Sequence, residues 1–255
     1  MSKIFAVLEN TFKESLRQKI MLLLVIFSVL LIIVSLFLEP FALGESPKLL
    51  RDFGLAVSSL FGVLVVIIIG SALIHKDIEK RTIYTVIVKP VRRSEIILGK
   101  FLGLFLLIAL LMTAMTVIHQ IVIFIYEGTF DFDILLALPF SLMEIMVILG
   151  ILLLFSSFSS ATLSSIMGVI FYVIGHSAND LKLFADTTKV NTLKYLAYGL
   201  YYILPNLANF NLRMELVHKL TLYPDQLLFS ICYGLVYTIF LLYIAIIIFE
   251  RREFK

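Results

Sequence analysis

The sequence predicts an all-α integral membrane protein: six transmembrane helices, an interfacial helix before them, and a helical outer segment between spans five and six. Three observations predict it. Of 255 residues, 61% are hydrophobic and 15% charged, a proportion that no globular core of this length could hide from water. Six apolar runs, 21–38, 53–74, 96–126, 134–158, 161–176 and 227–249, approach or exceed the roughly 20 residues that cross about 30 Å of hydrocarbon. Fourteen of the 21 Lys and Arg lie before the first run, between Lys76 and Lys100, or after the last run.

That last pattern sets the orientation. Short cytoplasmic connections retain cations, and an even span count places both ends on one side, so both termini are expected in the cytoplasm of a cell with this chain in its inner membrane. Glu127, Asp131 and Asp133 fill a short loop without Lys or Arg, expected outside. The absence of an N-x-S/T sequon is compatible with a prokaryotic source.

Residues 1–19 come first. Ile4, Phe5, Leu8, Phe12 and Leu16 share one helical face, and Glu9, Lys13 and Arg17 form a charged row four residues apart, which reads as a helix in the inner interface. The alternative is a cytosolic extension of the first span. That span lacks a small-x-small cleavage site near position 40, so it reads as retained rather than as a signal peptide. The third run, from Glu95 to Tyr126, covers about 48 Å as a helix, more than a bilayer needs, with Ser94 as the expected N-cap. Gly99 and Gly103 offer small faces for helix packing.

Pro139 is expected to kink the fourth span. Ser156–Thr162 makes a short hydroxyl-rich turn, and 161–176 is a short fifth span, tilted, re-entrant or extended. A loop as long as 177–224 rarely lacks structure. Its aromatic stretch places Tyr195, Tyr198, Tyr201 and Tyr202 at headgroup level. The single Cys232 excludes an intrachain disulfide. One membrane domain, 1–255, is the simplest division.

Motor and hydrolase chemistry is excluded by motif. A phosphate loop needs G-x-x-x-x-G-K-S/T, whereas Gly99-Lys100 is followed by Phe101 and has Ser94 five residues upstream. Neither H-E-x-x-H nor G-x-S-x-G occurs. The connector 76–95 is the strongest functional feature. It carries Lys76, Lys80, Arg81, Lys89, Arg92 and Arg93 interleaved with Ile78, Ile83, Tyr84, Ile87 and Val91, then a Lys89-Pro90 break. Charge retention explains the sign but not the apolar interleaving, which suggests a docking element for a protein partner; anionic lipid heads are the intermediate option.

Glu79-Lys80-Arg81-Thr82-Ile83, Lys89-Pro90-Val91-x-Arg93-x-Glu95 and Gly99-Lys100-x-x-Gly103 resemble the inner-loop signature of permease subunits of the type-2 ATP-binding-cassette (ABC) exporter family. Leu204-Pro205-Asn206-Leu207-x-x-Phe210-Asn211 and Phe249-Glu250-Arg251-Arg252-Glu253-Phe254 resemble its outer loop and basic C-terminus. Arg81 departs from the common pattern, in which Gly often precedes the Thr. The resemblance implies a transport subunit rather than an enzyme. It also implies a cytosolic ABC ATPase partner that holds the ATP and Mg, and a second permease copy as homodimer. Carried over by resemblance, Glu79, Arg81, Thr82, Tyr84, Lys89, Pro90 and Arg93 become ATPase-coupling candidates, and Ser157 and Ser160 fall in a smaller contact within Ser156–Thr162.

Charge inside hydrocarbon costs about 3 kcal/mol or more, which singles out His119 and Glu144. They could pair with each other or line a substrate path, or Glu144 could make a structural hydrogen bond. A proton-coupled secondary transporter using both is an alternative function, and a non-transporting mechanotransmission or scaffold subunit that recruits an ATPase is another. No metal or catalytic site is expected.

Overall fold

A computed structural model describes residues 3–16, 20–38, 46–73, 75 and 92–251. Ten α-helices are named here in chain order: α1 (Lys3–Leu16), α2 (Ile20–Leu38), α3 (Ser46–Ala72), α4 (Arg93–Glu127), α5 (Ala137–Ser156), α6 (Ala161–His176), α7 (Ala178–Thr187), α8 (Asn191–Ile203), α9 (Arg213–Val217) and α10 (Pro224–Arg251). Short 3-10 turns cover Phe132–Leu136 and Leu207–Phe210. No strand occurs among the described residues. The fold is therefore all-α, and each expected apolar run falls on one helix. Among the described residues, four stretches are long and apolar enough to cross a membrane: Lys48–Ala72, Arg93–Glu127, Phe132–Ser156 and Pro224–Arg251. The α6–α7 pair, bent by 51° at Ser177, makes a fifth if counted as one crossing.

The bundle is built around α5. A helix that is apolar on all sides must be surrounded, and Ile145, Val147, Ile148, Leu149, Ile151, Leu152 and Leu153 are all buried beneath α3, α4, α6 and α10. Outward faces of α4 and α10 carry exposed Leu106, Leu110, Ile125, Val236, Ile239 and Phe240, surfaces suited to hydrocarbon rather than water.

Two ends of the bundle are distinguished by their contacts. At the proximal end, α1 lies across the first half of α4, and Arg93 at the start of α4 meets the last turn of α10. Both described termini therefore sit at one end. The distal end holds the α4–α5 turn, α9 and the start of α3, joined by ion pairs.

Helix α1 docks through Ile4, Val7, Leu8, Thr11 and Ser15 rather than through the whole apolar stripe, and leaves Phe5 and Leu16 exposed. The reason is Gly99 and Gly103. A Cβ at Gly99 would lie 2.6 Å from Val7 Cβ, and one at Gly103 would lie 2.6 Å from the Leu8 carbonyl oxygen. Such closeness admits small and polar contacts at the crossing and turns Phe5 and Leu16 away. The Glu9–Lys13 pair, 2.6 Å apart, stays exposed beside them.

Two local expectations are corrected. Ser94 lies inside α4, not at its N-cap. The helix starts at Arg93, and the Glu95 carboxylate accepts the Arg92 N–H at 2.7 Å, the reach-back half of a capping box. Pro139 does not kink α5, because the helix begins only at Ala137, after a 3-10 turn, where a missing N–H costs nothing. The first-turn proline thus starts the span instead of bending it. At the other end of α4, Gly128 takes φ 71° and returns its N–H to Phe124 O at 2.9 Å, the left-handed C-terminal cap that glycine tolerates.

The 177–224 stretch is helical, as expected. Helices α7 and α8 pack together and leave Tyr195 and Tyr202 exposed. Tyr198 Oη donates to Asp186, and that bond raises the phenol's pKa. The Leu204-Pro205-Asn206 motif then ties this segment down. Asn206 is buried; its backbone N–H donates to Tyr233 Oη (2.8 Å), its Nδ2 to Asn179 Oδ1 (3.0 Å), and its Oδ1 accepts from the Ala208 N–H (3.1 Å). One residue, through its side chain and its backbone N–H, thereby links α7, the second 3-10 turn and α10.

Candidate functional site

Of the coupling candidates, Glu79, Arg81, Thr82, Tyr84, Lys89 and Pro90 lie outside the described residues. The borders of their connector are described. On the entering side, the last carbonyls of α3 are held by neighbouring helices: Lys100 Nζ on α4 donates to Leu73 O, and Ser156 Oγ at the end of α5 donates to Ser71 O at 3.3 Å. Lys100 and Ser156 are both buried. On the leaving side, Arg93 Nη1 donates to Phe249 O (3.0 Å) and Glu250 O (2.9 Å) in the last turn of α10. Both cations meet the negative ends of helices, where positive charge is favoured. Residues 76–91 are therefore bordered by segments fixed to α4, α5 and α10.

The Ser156–Thr162 turn lies at the same proximal end. Ser157 is buried, with Oγ on Leu154 O at 2.6 Å. Ser160 is exposed and caps α6 by accepting the Leu163 N–H at 3.3 Å. The surface of this turn consists of Phe158, Ser160 and Thr162.

His119 and Glu144 do not pair with each other. His119, buried on α4, donates from Nε2 to Leu50 O at 3.3 Å, and because a carbonyl only accepts, that nitrogen carries the proton. Gly54 makes room for it: a Cβ there would overlap the imidazole. Around it, Gln120 brackets the backbone of Asp131 through Nε2 to Asp131 O (2.5 Å) and Oε1 from Asp131 N (3.3 Å). Arg51 Nη2 donates to Glu127 Oε2 at 2.6 Å. Arg51 Nε lies 2.9 Å from Asp131 Oδ2, an ion-pair contact without hydrogen-bond alignment. His119 thus belongs to the distal polar knot.

Glu144 has a different partner. His176, in the last turn of α6, donates from Nε2 to Glu144 Oε1 at 2.9 Å. The Tyr172 ring, one turn earlier, stands edge-on to the imidazole at 4.7 Å between centroids. The pair opens on a cavity of about 310 Å³ between α3, α5, α6 and residues 210–213, where Ser59, Ser141, Asn211 and Arg213 add polar groups. Arg213 is itself held by Asp52 through one guanidinium edge, Nε donating to Oδ1 and Nη2 to Oδ2 at 2.8 Å. His176, Tyr172 and Arg213 are site residues that the sequence did not mark. Tyr172 and His176 at i, i+4 near the end of an apolar run were the available signal.

No group of three or more metal-ligating side chains occurs among the described residues. A search of curated proteins finds no match. A sequence model of the family described as ABC-2 family transporter protein matches residues 5–254. With the all-helical membrane architecture, that match over nearly the whole length places this chain in the ABC-2 family of transporter proteins.

Proposed function

We propose that this chain is the transmembrane permease subunit of an ABC exporter, powered by a separate cytosolic ATPase that binds the 76–95 connector. The observation that supports this most is the fixing of both connector borders: Ser71 and Leu73 to α5 and α4, and Arg93 to α10. A force applied to such a connector is passed to three spanning helices at once, which suits a subunit whose energy arrives mechanically. ATP and Mg reside on the partner. Glu79, Arg81, Thr82, Tyr84, Lys89, Pro90 and Arg93 make the principal contact, and the exposed part of Ser156–Thr162, with Ser160, makes the smaller one.

Six crossings follow from the same reading. Both described termini meet at the proximal end, which requires an even number, and α2 joins the four long helices and the α6–α7 pair. The proximal end is cytoplasmic, as the cation distribution demands, in the inner membrane of a prokaryotic cell. Two copies of the permease complete the membrane part. A proton relay from His119 to Glu144 lacks support, since each is bonded to a different partner.

Affinity purification from native membranes should recover an ABC ATPase with the chain. Lys89→Glu combined with Arg93→Glu should cut that recovery by about tenfold or more, because reversing charges at a desolvated contact costs more than the ~1.4 kcal/mol of a tenfold loss. Unchanged recovery would remove the connector from the interface.

A further inference from the structure

We propose that the cavity beside Glu144 and His176 binds a primary ammonium group carried on an apolar chain. Glu144 is 3% exposed and yet lines the cavity. His176 engages only its Oε1, and Oε2 has no hydrogen-bond partner among the described residues. A carboxylate oxygen on a mostly buried side chain, left open toward a cavity, is an acceptor available to a donor. The one guanidinium on the wall, Arg213, already bridges both oxygens of Asp52, so an anion finds its cation engaged and Glu144 opposing it. An ammonium finds the reverse, with the Ser59 and Ser141 hydroxyls as further acceptors. The rings of Tyr172 and Phe210 also line the space, and aromatic faces attract cations most where water is excluded. Leu55 and Leu60 supply apolar wall for an alkyl chain. The volume suits one head group and a short chain, at the lower end of ligand sites.

This inference names the cargo's head group and rests on the permease reading only for how the site is used. Binding is measured without the ATPase, so its failure leaves the coupling proposal standing. The probe is octylammonium, titrated calorimetrically into the full chain in phosphatidylcholine nanodiscs, with empty nanodiscs subtracted and octanoate and octanol as controls. Saturable binding of octylammonium alone is expected. It should weaken about tenfold or more in Glu144→Gln, which loses a charged hydrogen bond, and also in Ala56→Leu, which narrows the cavity and keeps the carboxylate. Ala56→Leu carries the test should Glu144→Gln not fold. Repeating the titration in phosphatidylethanolamine nanodiscs separates the sources: suppressed binding assigns the site to a lipid head group, undiminished binding to a free amine. No saturable binding, equal binding of octanoate, or binding unaffected by the variants would overturn the proposal.

Discussion

Arg51→Met should destabilise the chain by about 3–5 kcal/mol, the cost of removing one partner from a buried ion pair. The side chains of Arg51, Glu127 and Asp131 are only 11%, 15% and 8% exposed, so removing the guanidinium leaves two carboxylates close together with little water to screen them. Thermal unfolding in detergent checks this, as a fall in midpoint. The triple variant Arg51→Met, Glu127→Gln, Asp131→Asn should regain most of the loss, since neutral groups need no counter-charge. A single variant as stable as the parent would show that the triad is solvated and inert.

Gly103→Leu should dislodge α1 from α4. The new Cβ would meet the Leu8 carbonyl at 2.6 Å, and backbone cannot rotate aside as a side chain can. Overpacking of this kind typically costs about 1–3 kcal/mol, comparable with what a 14-residue helix gains by docking one face, so separation rather than local adjustment is expected. Limited proteolysis near residues 17–19 reads it: cleavage should become much faster in Gly103→Leu and, since alanine brings the same Cβ without the larger side chain, faster to a smaller degree in Gly103→Ala. Equal rates in the parent and Gly103→Leu would mean that α1 is not held by this crossing.

Much of the architecture was legible because bilayer thickness fixes the length of an apolar run, and each run falls on a helix. Rotation about each helix axis was not. Helix α5 is apolar all round, so nothing in its composition says which direction Glu144 faces, and its partner His176 is 32 residues away on another helix. His119 was a plausible partner only by chemistry; packing against Gly54 turned it to the Leu50 carbonyl instead. Gly99 and Gly103 were readable as a packing saddle, but their occupant is α1, which does not span. Arg51 and Asp52 are neighbours in sequence, yet Arg51 takes the α4–α5 turn and Asp52 takes α9. Arg93 stood out by position in the connector, and its bonds to the α10 carbonyls depend on tertiary proximity that spacing does not encode.

The most direct test of mechanical powering by a separate ATPase is crosslinking in living cells. Tyr84 is replaced by a photoreactive phenylalanine analogue, and Phe130, in the distal α4–α5 turn, is replaced likewise as the control. Illumination should give an adduct from position 84 whose second component is a cytosolic ABC ATPase, and no such adduct from position 130. An adduct with the ATPase from position 130, or position 84 linked only to proteins outside the cytoplasm, would contradict the account.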